Sequence, residues 1–317
     1  GSGNTPAFGL TASTPPFTVT FSGPATTAGL SVSNMPPTFS LAGFTYNVTG
    51  DSLVGGGNGP TLTLLNGTLN TRAGNGRLFI GQNTGQTGTV VVGAGGVLQG
   101  VWEVGSSGTG TLNVQAGGQV VISPGDRLSI ANSAGSTGHV TVTGVGSALS
   151  QADGTLAVGP GGTASLSILA GAHASATRWV VAQNNGTGSL LVSGAGSRFD
   201  SPGSDCYLGV DHGTATLTID QGGAFAITGG FIGSGVTPGS RGDIVVRDPA
   251  STYSSPQLRL GDGGSGSLLV EAGGHATCSD SIWVGKSTGG SGSILVRGDG
   301  STLAAEYLQT FEHATGS

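Results

Sequence analysis

A four-residue phrase, apolar–any–apolar followed by Gly or Ala, returns nine times along this chain and constrains its fold more than any other feature. It reads Leu78-Phe79-Ile80-Gly81, Trp102-Glu103-Val104-Gly105, Leu128-Ser129-Ile130-Ala131 and Leu156-Ala157-Val158-Gly159. It continues as Trp179-Val180-Val181-Ala182, Cys206-Tyr207-Leu208-Gly209, Gly230-Phe231-Ile232-Gly233, Leu258-Arg259-Leu260-Gly261 and Ile282-Trp283-Val284-Gly285. The intervals between successive ends are 24, 26, 28, 23, 27, 24, 28 and 24 residues. A second phrase follows each first one, as in Gly110-Thr111-Leu112-Asn113-Val114, Gly188-Ser189-Leu190-Leu191-Val192 and Gly266-Ser267-Leu268-Leu269-Val270. A third element closes the unit in two alternating forms. Short units carry Gly-Gly (Gly117-Gly118, Gly222-Gly223, Gly273-Gly274), and longer ones a Gly-x-Gly-Ser turn (Gly144 to Ser147, Gly194 to Ser197, Gly298 to Ser301).

Each phrase alternates with the two-residue period of a strand, and no segment shows the 3.6-residue period of a helix. In the first phrase Ile80, Val104, Ile130, Val158, Leu208, Ile232, Leu260 and Val284 point inward, with Leu78, Trp102, Leu128 and Trp179 beside them. In the second, Leu112, Val114, Leu190, Val192, Leu217 and Ile219 do so. In the third, Val120 with Ile122, Phe225 with Ile227, or a lone Leu149, Phe199, Tyr253 or Leu303 fills the core. Three short strands joined by Gly-rich corners make one coil, and coils of like sequence stack so that each satisfies the next. The fold class expected is all-β, a right-handed parallel β-helix (β-solenoid) with about 24–28 residues per coil. From Thr61 onward about ten coils spaced about 4.8 Å apart give a rod of roughly 50 Å.

Residues 1–60 break the pattern with Pro6, Pro15, Pro16, Pro24, Pro36 and Pro37, although Phe17-Thr18-Val19-Thr20-Phe21 and Phe44-Thr45-Tyr46-Asn47-Val48 read as strands. This stretch is expected to be an irregular cap hiding an open sheet edge, followed by solenoid repeats over 61–308 and a tail over 309–317. No such cap is expected at the other end, so a continuing chain or a docked neighbour would have to cover it.

Composition narrows the setting. Of 317 residues 64 are Gly, without the Gly-X-Y period of collagen, and 36 % are apolar in short regular runs, enough for a long thin core. Only 10 Lys and Arg stand against 16 Asp and Glu, a net charge of −6 with no basic stripe, which argues against a nucleic-acid partner. No run of 18 apolar residues exists for a membrane span. No basic segment followed by an apolar run opens the sequence, so an export signal is expected to lie outside it. Cys206 and Cys278 fall at inward positions about three coils apart, roughly 14 Å by the coil spacing. That exceeds the reach of a disulfide, so two buried, unbridged thiols are expected.

Units such as the run from Val104 to Val114 and that from Gly135 to Ser147 resemble the repeats of type V autotransporter passengers. They are also similar to repeats of bacterial surface proteins of the PEP-CTERM group. The resemblance covers roughly residues 17–308. It implies export to the bacterial cell surface or beyond and a β-solenoid passenger, and says little about chemistry. The translocator barrel, sorting signal and export signal of complete members fall outside this sequence.

A search for chemistry finds dispersal. Asp126, Asp153, Asp200, Asp205, Asp211, Asp220, Asp243, Asp248 and Asp262 lie at different phases of the coil, whereas glycoside hydrolysis needs two carboxyls facing one cleft. Asp205, Asp211 and His212 form the one local cluster, read as a solvated corner before a metal or catalytic site. His173 and His275 share a phase but lie four coils apart, too far to share a metal. Gly285-Lys286-Ser287 lacks the upstream Gly of a phosphate-binding loop, where Asp280 stands. Arg241-Gly242-Asp243 spells an adhesion tripeptide, but its last two residues occupy ordinary repeat positions. No catalytic residue, metal site or cofactor is therefore assigned.

Outward apolar positions are the better candidates for contact. Phe79, Tyr207, Phe231 and Trp283 occupy the middle of the first phrase, and Val91, Leu191, Val245, Leu269 and Leu295 the middle of the second. Trp283, Phe231, Tyr207, Phe79, Leu269 and Leu295 are taken as candidate ligand or partner contacts, Trp283 first as a stacking platform. The outward positions Asn113, Thr141, Ser167 and Leu191 are too mixed for an ice-binding array. The function expected is a non-catalytic extracellular structural or adhesive scaffold, contacting copies of itself or other cell-surface proteins and able to assemble end to end. A glycan-binding adhesin is the alternative, and a polysaccharide-degrading enzyme a distant third.

Overall fold

A computed structural model describes residues 7–8, 16–203 and 205–311. The described chain is strand, turn and bend throughout, wound as a parallel β-solenoid. Twelve strands, from Phe17–Thr20 to Ser291–Arg297, form one continuous parallel sheet made of the second phrases. The first and third phrases form the other two faces. Over Ala148–Val158, His173–Val181, His275–Val284 and Thr302–Thr310 a single strand runs from the third face into the first, fusing them into one sheet.

The ladders extend below Thr61. Phe17–Thr20 pairs with Pro37–Ser40, which pairs with Thr61–Leu65, and Leu30–Val32 leads through Ser52–Val54 to Leu78–Ile80. Pro37 is accommodated because it opens its strand, where a missing N–H costs least. Phe21, Phe39 and Tyr46, with ring centroids 5.2–5.9 Å apart, fill the coils that lack the aliphatic pairs of the later repeats.

The core is one continuous column per inward position. Leu62, Val90, Leu112, Val140, Leu166, Leu190, Leu217, Ile244 and Leu268 stack on the twelve-stranded face and are all buried. On the third face Phe199, Phe225 and Tyr253 lie in register and stack nearly parallel, at 5.3 Å and 5.7 Å. Trp179 meets Phe199 and Phe225 edge-on at 6.0 Å and 5.7 Å. Small neighbours in the same column, Ala174 below and Ala276 above, leave room for these rings.

Two expectations on the first face need correction. Trp102 does not point inward: a register shift pairs Leu78 with Val101 but Phe79 with Glu103, so Val101 enters the core and Trp102 is extruded. Arg77 then places its guanidinium 4.2 Å from the Trp102 ring centroid. In the following repeat of Phe231 the phrase is displaced by two residues. Ile232 pairs with Cys206 and Leu258, while Ser234 takes the place of Leu208 and Leu260 and buries its hydroxyl by donating to the Gly242 carbonyl at 2.6 Å. The left-handed corner residue, found at Gly81, Gly105, Ala131, Gly159, Ala182, Gly209, Gly261 and Gly285, is accordingly Gly235 (φ 63°) and not Gly233.

The alternation of corner types has a physical cause. The hydroxyl of the serine that closes a longer corner accepts from a glycine N–H in the coil beneath: Gly117 to Ser147, Gly171 to Ser197 and Gly273 to Ser301, each at 3.0 Å. Ser251 does the same for Gly222 at 2.9 Å, although its corner reads Asp-Pro-Ala-Ser. A corner N–H that strand pairing leaves unmatched thus finds a partner in the next coil.

Candidate functional site

The six candidate contact residues fall in three places. Tyr207, Arg259 and Trp283 share one outward column of the first face, with Gly233 between the first two. Because Gly233 carries no side chain, the Phe231 ring leans into the gap and meets Tyr207 edge-on at 5.8 Å. Arg259 lies over the Phe231 ring at 3.5 Å and over the Trp283 ring at 4.8 Å. Lys286 approaches the Trp283 ring at 4.8 Å, and Phe311 stands 6.0 Å from it. Asp262 sits between the two cations at 3.9 Å from each, and Gln257 fixes the Arg259 Nε at 2.7 Å. Burial, reinforced by Asp205, raises the Tyr207 pKa above its usual value, with Arg259 opposing. Tyr207, Phe231 and Trp283 are half-buried and their rings already have partners within the chain.

Phe79 lies on the same face but five coils lower. Glu103, Ser129, Ala157 and Val180 separate it from Tyr207 in the column, about 24 Å by the coil spacing. Leu269 and Leu295 belong to the twelve-stranded face, paired with each other and continuing the column from Val245. Leu269 is half-buried, and Leu295 in the last coil is 49 % exposed.

The carboxylates that the sequence left scattered tie coil to coil. Arg72 donates twice to the nearly buried Asp126, at 2.8 Å each. It passes beside Gly100 (φ 89°), where a Cβ would lie 2.8 Å from that of Arg72, so any other residue there would be both strained and crowded. Arg247 reaches Asp220 at 2.9 Å, Arg297 reaches Glu271 at 2.6 Å, and His173 reaches Asp200 at 2.9 Å, each pair joining adjacent coils. Asp211 and His212 form the exposed left-handed turn after Gly209 (φ 48° and 65°), the Asp211 N–H donating to Thr237 Oγ1 at 2.6 Å. Among the described residues no three His, Cys, Asp or Glu side chains are grouped to hold a metal. Lys286, of the Gly-Lys-Ser run, is turned to Asp262 and Trp283.

Arg241 and Asp243 point outward from one strand, and the Arg241 Nε donates to Asp243 at 2.6 Å. The tripeptide is thus an ion pair on a flat sheet and not a splayed loop. Cys206 and Cys278 are buried and form no disulfide. Burial drives both thiols up to about 11, while hydroxyls of Ser201 and Ser255 beside them pull the other way.

Comparison with known proteins gave no matching family model and no matching curated protein. A solved structure, a crystal structure of a TibC-catalysed hyper-glycosylated TibA fragment, aligns with 89 % of this chain and 100 % of its own, at 19 % identity and a TM-score of 0.26.

Proposed function

We propose that this chain is a non-catalytic extracellular β-solenoid, a structural and adhesive surface scaffold of the passenger kind, which assembles end to end into filaments. The observation that carries the reading is the unbroken parallel stack, twelve strands from Phe17–Thr20 to Ser291–Arg297, in which each inner coil is covered by the next. In the last described coil Val296 and Leu308 are 40 % and 62 % exposed, against 0 % and 1 % for Val270 and Ile282 one coil beneath, while Ile294 and Leu303 stay partly buried against the core. Stacking of coil on coil is the contact this fold makes repeatedly, and the same contact made head to tail between copies propagates. The ion pairs between coils support the non-catalytic part, since they commit Asp126, Asp220, Asp200 and Glu271 to holding the rod together. The resemblance of the repeats to surface passengers supports the extracellular setting.

The test is electron microscopy with light scattering over a concentration series, comparing the wild type with Leu308→Asp. Filaments that lengthen with concentration, and that the substitution abolishes, are the expected result. Short monodisperse rods at every concentration would sink the proposal.

A further inference from the structure

The aromatic ridge is not the surface best fitted to a carbohydrate. On the twelve-stranded face two hollows of about 230 Å³ and 530 Å³ meet along Arg241, Ser265 and Ser291. The first continues over Asp243, Ser267 and Ser293, and the second over the glycine corners at Gly239, Gly263 and Gly289. The register explains the hollow. In the lower coils the Arg241 column holds Thr and the Asp243 column Thr, His and Ser, whereas above Arg241 and Asp243 both columns hold serine in two successive coils. Ser265, Ser267, Ser291 and Ser293 therefore form a two-by-two grid of hydroxyls, about 4.8 Å along the rod and about 6.7 Å along the strand.

Its polar groups are positioned but not used up. Asp243 is held from both sides, by Arg241 Nε and by the Ser267 hydroxyl, each at 2.6 Å, which leaves further lone pairs on its carboxylate. Arg241 is fixed through Nε, and its two terminal nitrogens make no hydrogen bond among the described residues. The hydroxyls of Ser291 and Ser293 make none either, and both serines are exposed.

We infer that this groove binds a neutral polysaccharide. A guanidinium and a carboxylate side by side offer a donor and an acceptor to adjacent hydroxyls of a sugar ring, and the serine grid extends the same offer over two further coils. The charges select against other ligands. Asp243 offsets Arg241, and the whole chain carries −6, so a sulfated or uronic chain meets a carboxylate and gains no net attraction. A peptide cannot add as a strand to the floor of the groove, because the strand Ser265–Glu271 is paired on both sides. The proposal goes beyond the scaffold reading and does not need it: Arg241 and Asp243, the charged pair of the groove, lie two coils below the strand Ser291–Arg297.

The test titrates the chain by isothermal calorimetry with neutral hexasaccharides (cellohexaose, maltohexaose, mannohexaose and chitohexaose) and with hexagalacturonate. Arg241→Gln removes the donors, Ser291→Tyr fills the groove from an exposed position, and Trp283→Ala removes the rival platform. Binding of a neutral hexasaccharide, weakened at least tenfold by each groove substitution and less than twofold by Trp283→Ala, is the expected result. Failure of all four neutral sugars to bind, tighter binding of hexagalacturonate, or loss with Trp283→Ala alone overturns it. Filament formation by Arg241→Gln, followed by light scattering, stays at the wild-type level and separates this test from that of the scaffold.

Discussion

Two aromatic stacks run up this rod, one inside and one outside, and they are held by different forces. Inside, Phe199, Phe225 and Tyr253 lie flat on one another with Trp179 edge-on to Phe199 and Phe225, in a column closed above and below by alanine. Outside, Tyr207, Phe231 and Trp283 are bridged by Arg259, whose charge is balanced by Asp262. The inner stack is stabilised by exclusion of water and close packing, and so depends on shape. The outer stack is stabilised by the attraction of a cation for ring faces, and so depends on one guanidinium. The lesson is that an outward aromatic in a solenoid is not by itself a free platform, because neighbouring coils can supply a partner at stacking distance, as they do for Tyr207, Phe231 and Trp283.

The comparison can be broken by substitution, starting with the largest effect. Phe225→Ala removes the ring that touches Trp179, Phe199 and Tyr253, and is expected to cost about 3–5 kcal/mol in urea unfolding. A cost no greater than that of a surface change would show that the inner stack is loosely packed. The thiols beside this stack give the next test. Burial raises Cys206 and Cys278 from 9.0 to about 11, so between these values the folded chain holds protons that the unfolded chain has lost. Their contribution is complete below pH 9 and is lost as pH rises through about 11, on the order of 2 kcal/mol per thiol. Unfolding curves from pH 7 to pH 11 should fall more steeply for the wild type than for the Cys206→Ala, Cys278→Ala double variant.

On the outer stack, Arg259→Ala is expected to cost about 1 kcal/mol and to raise the exposure of Trp283, read as a red shift of its fluorescence. An unchanged spectrum would mean that Arg259 does not cover the ring. Arg297→Ala, which removes an ion pair whose arginine side chain is 61 % exposed, should cost about 0.5 kcal/mol or less and lose even that in high salt.

Much of this architecture was legible from residues alone. The period, the alternation within each phrase and the inward rows Leu112/Val114 or Phe225/Ile227 follow from strand geometry and can be read without coordinates. What escaped was local register. Val101 and Val104 are separated by two residues where one is usual, and that extra residue was the available sign that Trp102 turns outward. Ser234 escaped because a buried serine reads as polar until its acceptor, Gly242, is known to lie eight residues on. The candidate contacts were less legible still. Sequence alternation places Trp283 and Phe231 on the outside, but whether Arg259 occupies their faces depends on which residues share a column. The serine grid beside Arg241 was invisible for the same reason, since small polar residues become a groove only when larger ones flank them in the coils below.

Stacking of coil on coil is the point on which the functional reading turns, and hydrogen exchange read strand by strand tests it most directly. At low concentration the coils from Thr109 to Leu260 should be strongly protected, and the strands Ser291–Arg297 and Thr302–Thr310 much less so. As concentration rises, protection of those two strands should climb toward that of the interior coils while the rest stays unchanged. Equal protection of the last coil in dilute solution, or no rise with concentration, would contradict the account.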